Sequence, residues 1–158
     1  MPRITPNLWF DTESKEAAEF YVSVFPNSEI TNISYFGEAG PRPAGTVLTV
    51  DFVLDGQQYT AINGGPEFTF DEAISFQVNC ESQDEVERFW AKLSDGGQEG
   101  PCGWLKDKFG VSWQIVPRPL MDEMLGDPDV EKVQRVMKAV LGMGMIDSAE
   151  LRRVADQG

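Results

Sequence analysis

The chain has 158 residues, 41% of them apolar, which suits one ordinary domain or two small modules sharing a core. Its 26 acidic residues against 13 basic ones give a formal charge of −13, which repels phosphate backbones and argues against nucleic-acid binding. There is no histidine, which removes the commonest general base and the commonest metal ligand.

Lys132, Arg135 and Lys138 come nearest to a basic cluster and read as the solvated face of one helix. No apolar run is long enough to span a bilayer, and the start MPRITPNLWF lacks the basic head and apolar core of a signal peptide. The expectation is a soluble, cytoplasmic protein with neither nucleic acid nor membrane as a partner. Cys80 and Cys102 are too far apart for a C-x-x-C motif and read as two free thiols.

Ile4 to Phe10 is short and apolar-rich, and predicts a strand. From Ser14 the period changes: Ala17, Phe20, Tyr21, Val24 and Phe25 recur at helical spacing, and Pro26 stops the helix. Glu29 to Phe36 predicts a second strand, followed by a Gly/Pro loop. Thr46–Leu54 and Gln57–Asn63 flank Asp55-Gly56, a dipeptide suited to the two positive φ angles of a type I′ turn, so a hairpin is expected. Gly64-Gly65-Pro66 opens a linker to about Asp71.

Ala73 to Cys80 is again strand-like. Ser82-Gln83-Asp84-Glu85 is a capping box for a helix with Val86, Phe89, Trp90 and Leu93 on one face, ended by Gly96-Gly97. Gly100 to Pro117 then reads as two short strands around a turn at Asp107–Gly110, where Lys106 and Asp107 are expected in solvent. Asp127-Pro128 predicts a helix start with Val130, Val133, Met137, Val140 and Leu141 as its apolar stripe. Asp147–Glu150 caps a last helix, with Ile146 and Leu151 as a hydrophobic staple. Five of the six methionines follow Leu120 and read either as core filling or as an adaptable surface.

The order of elements repeats. Ala17, Phe20, Tyr21 and Val24 correspond to Val86, Phe89, Trp90 and Leu93 at one constant offset, and Gly56–Ala61 lines up with Gly110–Ile115. The fold class expected is α+β: two tandem βαβββ modules forming a cupped mixed sheet, with C-terminal helices. Module one covers about 3–63, the linker 64–71 and module two about 72–118, the two modules making one domain over 1–118. Residues 119–158 form a helical extension packed on it.

Such modules resemble the vicinal oxygen chelate superfamily of glyoxalase I, extradiol dioxygenases and bleomycin-resistance proteins. Leu8-Trp9-Phe10, Phe20-Tyr21, Gly64-Gly65-Pro66, Ser75-Phe76 and Gly103–Asp107 through Trp113–Pro117 are similar to its PhnB-like subgroup. That subgroup is often labelled 3-demethylubiquinone-9 3-methyltransferase, which implies S-adenosylmethionine as cosubstrate. The residues offer no strand, glycine-rich turn and helix to hold it, since proline follows Gly64-Gly65. In metal-using relatives of the superfamily, four inward positions supply His or Glu. By the repeat these fall near Thr5, Thr60, Ala73 and Gln114, none of which is an acidic, imidazole or thiolate ligand. No metal and no cofactor is therefore expected.

Strand alternation separates two faces. Leu8, Phe10, Tyr59, Ala61, Ile74, Phe76, Val78, Val111, Trp113 and Ile115 form the apolar one, to pack under helices. Asn7, Trp9, Gln58, Thr60, Ser75, Gln77, Ser112 and Gln114 form a neutral polar face with one large aromatic. The cupped sheet that the resemblance implies makes these eight residues the candidate ligand-binding set, for a small polar or aromatic ligand. The function expected is metal-independent small-molecule binding, with a homodimer compatible with the superfamily. The alternatives are an enzyme carrying the methyltransferase label, using Glu, Asp, Lys, Tyr or Cys for acid–base work, or a metal-dependent lyase or dioxygenase.

Overall fold

The computed structural model describes residues 2–157 and divides the chain into two compact units, one ending at Phe70 and the other beginning at Asp71.

In the first unit, β1 (Asn7–Phe10), α1 (Ser14–Val24), β2 (Glu29–Tyr35), β3 (Val47–Leu54) and β4 (Gln57–Asn63) follow one another. The sheet order is β1-β4-β3-β2, with β1 parallel to β4 and the other pairs antiparallel. The β3–β4 hairpin turns on Asp55 (φ 46°) and Gly56 (φ 89°), the two left-handed residues that a type I′ turn requires. α1 lies on β3 and β4 and buries Ala17, Ala18, Tyr21 and Val24 against Leu8, Phe10, Val50, Phe52 and Ala61. Tyr21, Phe52 and Tyr59 form a stacked series through this core.

The second unit repeats the plan: β5 (Ser75–Cys80), α2 (Gln83–Ser94), β6 (Gln98–Glu99), β7 (Trp104–Lys106) and β8 (Ser112–Pro117), in the order β5-β8-β7-β6. Both units are thus four-stranded mixed sheets built from a βαβββ module, as the repeat predicts. The expected capping box is present, with Ser82 Oγ accepting from Glu85 N, although the Glu85 carboxylate reaches back to Glu81 N. α2 buries Val86, Phe89, Trp90 and Leu93. Three helices follow, α3 (Arg118–Leu125), α4 (Val130–Leu141) and α5 (Ser148–Ala155), around a cluster that includes Leu120, Met121, Met124, Val136, Ile146 and Leu151. Met121 and Met124 therefore fill a core, while Met137 remains partly exposed.

Several sequence expectations are corrected. β1 begins at Asn7 rather than Ile4, and β5 at Ser75 rather than Ala73, because Ala73 N donates to the Asp71 carboxylate and holds that stretch in a turn. Ile74 consequently leaves the apolar face and is 72% exposed. β6, only two residues long, and α3 were not separated by sequence pattern. α4 is capped by Asp129, whose Oδ1 accepts from Glu131 N and Lys132 N. Asp127 instead accepts from Asp129 N and pairs with Lys132 Nζ. The buried lane of α4 runs through Val136 and Val140, leaving Val130 69% and Leu141 65% exposed. Docking on α5, where Arg135 donates to Val154 O and Ala155 O, selects this lane over the parallel one. Among the described residues no helix is long and apolar enough to cross a membrane.

Candidate functional site

The eight polar-face residues fall four to each unit. In the first unit the register brings Asn7 opposite Thr60 on neighbouring strands. Thr60 Oγ1 donates to the Asp51 carboxylate across the β3–β4 pair at 2.6 Å. Trp9 Nε1 donates to Gly65 O at 2.9 Å, and its ring meets Phe68 edge-on, 5.0 Å between centroids. Gly64 is necessary for this placement, since a Cβ there would lie 2.4 Å from the indole. Asn7 Nδ2 donates to Thr5 O and the side chain is exposed, while Gln58 is half-buried. Polar groups on this face therefore satisfy one another: Ser34 and Thr49 share a hydrogen bond as well.

The second unit differs. Ser75 lies opposite Ser112, and Gln77 opposite Gln114, on the parallel β5–β8 pair. Lys106 and Trp104 lie opposite Ser112 and Gln114 on the other side, so these six residues share one face. Gln114 Nε2 donates to Ser75 Oγ at 2.9 Å, and Gln77 Nε2 to Asn79 Oδ1 at 2.8 Å. Ser112 is 1% exposed and its Oγ has no hydrogen-bond partner. A buried, unmet hydroxyl costs roughly 1–3 kcal/mol.

A cavity of about 460 Å³ opens beside the strand, although the Ser112 hydroxyl is itself closed off from it. Its wall includes Ser112, Trp104, Lys106 and Leu105 of the sheet, the Gly100–Cys102 segment, Gln98 and Glu99 of β6, and Glu72. Glu72 forms an ion pair with Lys106, and the hydrogen bond from the ammonium holds the Glu72 carboxyl below the usual carboxylate range. Glu99 lies opposite Leu105, and its carboxylate accepts from Trp90 Nε1 of α2 at 2.9 Å, on the sheet face away from Lys106.

The segment closing the wall is fixed by backbone. Trp104 N donates to Pro101 O across Cys102 (φ 59°) and Gly103 (φ 84°), a turn with two left-handed residues. A Cβ on Gly103 would stand 2.9 Å from Ile115 O and from Ile146 Cδ1, so only glycine fits. Cys102 N and Gly103 N donate to Met143 O and Gly144 O, which ties this wall to the loop between α4 and α5.

Trp104, Lys106 and Glu72 escaped the sequence-based set. The alternation that selected Ser112 and Gln114 would have reached Trp104 and Lys106, had β7 been registered against β8. Asp107 was expected in solvent and is instead 2% exposed. Its Oδ1 accepts from Phe109 N and Val111 N, and its Oδ2 accepts from Trp113 Nε1 at 2.8 Å. Asp107 is thus the clamp of the β7–β8 turn and buries the indole N–H that Trp113 could not otherwise satisfy.

The positions where superfamily relatives hold metal do not suit it here. Thr60 is committed to Asp51, Gln114 to Ser75, and Ala73 carries no donor. Among the described residues no three His, Cys, Asp or Glu side chains are grouped to hold a metal ion.

A family model described as 3-demethylubiquinone-9 3-methyltransferase matches residues 2–116. A PhnB protein from Bacillus cereus is similar at 38% identity with a TM-score of 0.66, covering 73% of this chain and 98% of its own. A Pseudomonas aeruginosa protein at 23% identity has a TM-score of 0.60 over 73% and 96%. The fosfomycin resistance protein FosX from Listeria monocytogenes, at 14% identity, has a TM-score of 0.50 over 72% and 88%; both likenesses show the fold alone. No functionally curated protein matches.

Proposed function

The chain belongs to the 3-demethylubiquinone-9 3-methyltransferase family, whose members include PhnB-like proteins, and from that premise we propose that it is a metal-independent small-molecule-binding protein. The cavity of the second unit is the proposed binding site. The observation that carries this reading is the cavity of about 460 Å³ with Trp104, Lys106 and Glu72 in its wall. That volume falls within the range of small-ligand pockets, and an apolar wall with a few convergent polar groups is their usual chemistry. Trp104 supplies aromatic surface and Lys106 a cation in the same wall.

The family's label supplies a methyl-transfer reading that the local geometry does not favour. β4 leads through Gly64-Gly65-Pro66 into residues without helix, and β1 leads into α1 through Asp11-Thr12-Glu13, with no glycine in the turn. A cofactor phosphate or carboxylate cradle of the strand–glycine–helix kind is thus not formed at either place.

Titration of the full chain with a panel of flat aromatic fragments, followed by the Trp104 indole ¹H–¹⁵N signal, tests the reading. Saturable shifts of that signal are expected for at least some fragments below millimolar concentration. A signal unmoved by every fragment would sink it.

A further inference from the structure

We propose that the exposed apolar stripe of α4 is a docking face for a second copy of this chain, with the two α4 helices antiparallel about a two-fold axis. The inference concerns a different surface from the cavity and does not depend on the binding reading above.

The stripe follows from helix geometry. At 3.6 residues per turn, Val130, Met137 and Leu141 fall within about 40° of one another around α4. They are 69%, 36% and 65% exposed. Val133, half-buried, stands between them and the lane of Val136 and Val140 that enters the core. Single exposed apolar residues are ordinary, but three in one line on one helix form a seam. The family model stops at residue 116, before α3, α4 and α5, so the seam belongs to helices that the family match does not include.

Self-complementarity identifies the occupant. Across a two-fold axis the same patch meets itself, so the first residues of one helix face the last residues of the other. With the axis at the level of Arg135, Val130 meets Leu141 of the second copy to within one residue of register, and Val133 meets its Met137. Each contact then occurs twice.

The charges obey the same register. Glu131 and Lys138 are both exposed on the solvent flank of the stripe, and neither enters an ion pair among the described residues. Seven residues apart, they are separated by about 10.5 Å along the helix, too far to pair with each other. The two-fold axis brings Glu131 of one copy to Lys138 of the other, again twice. Lys132 and Arg135 do not compete, since Asp127 holds the first and the carbonyls of Val154 and Ala155 hold the second.

Net charge opposes self-association, and it opposes it least at α4. The chain carries −13, so two copies repel over most of their surface, whereas α4 holds three basic residues and one acidic one. A helix of 12 residues is about 18 Å long, so the contact stays below about 1,200 Å² and the dimer is a weak one.

Sedimentation equilibrium of the full chain from about 10 μM to about 1 mM tests the proposal. The apparent mass is expected to rise from monomer toward dimer across that range. Leu141→Gln and Val130→Gln should each weaken association about tenfold or more, at urea midpoints close to wild type because both side chains already stand in solvent. Glu131→Lys and Lys138→Glu should each weaken it about threefold, since each places like charges together twice. The double reversal, Glu131→Lys with Lys138→Glu, should restore wild-type association. That rescue separates a docked register from loose apolar contact.

A chain that stays monomeric at the top of the range overturns the proposal. A dimer indifferent to both Leu141→Gln and Val130→Gln uses another face, and α4 pairing is wrong. A dimer weakened by the single charge reversals but not restored by the double one shows that the antiparallel register is wrong. None of these results bears on fragment binding followed at Trp104, so the two readings stand or fall separately.

Discussion

The two units carry the same module and differ in how fully their polar faces are paired. In the first, Thr60 meets Asp51, Ser34 meets Thr49, and the Trp9 indole meets Gly65 O beneath Phe68. In the second, Ser112 meets nothing and a cavity opens beside it. The turns differ in the same direction. Asp55 is an exposed turn residue chosen for its backbone, whereas Asp107 is buried and holds three N–H groups. The same module can thus pair its polar face more fully in one copy than in the other.

The largest test of that contrast is the pair of turn aspartates. Asp107→Ala leaves two backbone N–H groups and the Trp113 indole N–H without their acceptor, and should cost roughly 3–5 kcal/mol in urea unfolding. Asp55→Ala should cost about 1 kcal/mol or less, since only a left-handed turn preference is lost. Equal costs would show that the two turns play one role.

The polar faces give the next test. Thr60→Val removes a hydrogen bond and should destabilise by about 1 kcal/mol. Ser112→Ala removes an unmet hydroxyl and should lie within about 0.5 kcal/mol of wild type, or above it. A clear loss on Ser112→Ala would mean that the hydroxyl has a partner in solution and that the asymmetry is only apparent.

Much of the fold was legible because the modules announce themselves in period and punctuation. The helices Ser14–Val24 and Gln83–Ser94 follow apolar spacing, and Asp55-Gly56 forms the turn its residues demand. The site was half legible. Ser75, Gln77, Ser112 and Gln114 share a face by strand parity alone. Trp104 and Lys106 did not join them because a three-residue strand has too little pattern to fix its register. Asp107 misled for a related reason: its burial depends on the indole of Trp113, six residues away across a turn, and composition alone reads that turn as solvent. Glu72 lies in an irregular stretch, and only tertiary placement pairs it with Lys106.

A pH-dependent test concerns Cys80, a thiol that only the second sheet contains. Burial pushes its pKa up to about 11, from about 9 in an unfolded chain. Between those values the unfolded chain loses a proton that the native state keeps, so this thiol makes stability fall as pH rises. Below pH 9 it contributes no slope. Unfolding midpoints measured on either side of that window should drop less in Cys80→Ala than in the wild-type chain. A steeper drop in the variant would reverse the assignment.

The outer strands β2 and β6 have a consequence of another kind. An unpaired strand edge is a template on which a further chain can extend a sheet, the first step of uncontrolled aggregation. β2 is seven residues long but its register with β3 shifts twice, between Ile30 and Asn32 and between Ser34 and Tyr35. Such irregularities twist an edge away from a flat neighbour. β6 offers two residues, too few to template anything. These two borders therefore discourage strand addition, and the edges left to template a further strand are β1 and β5.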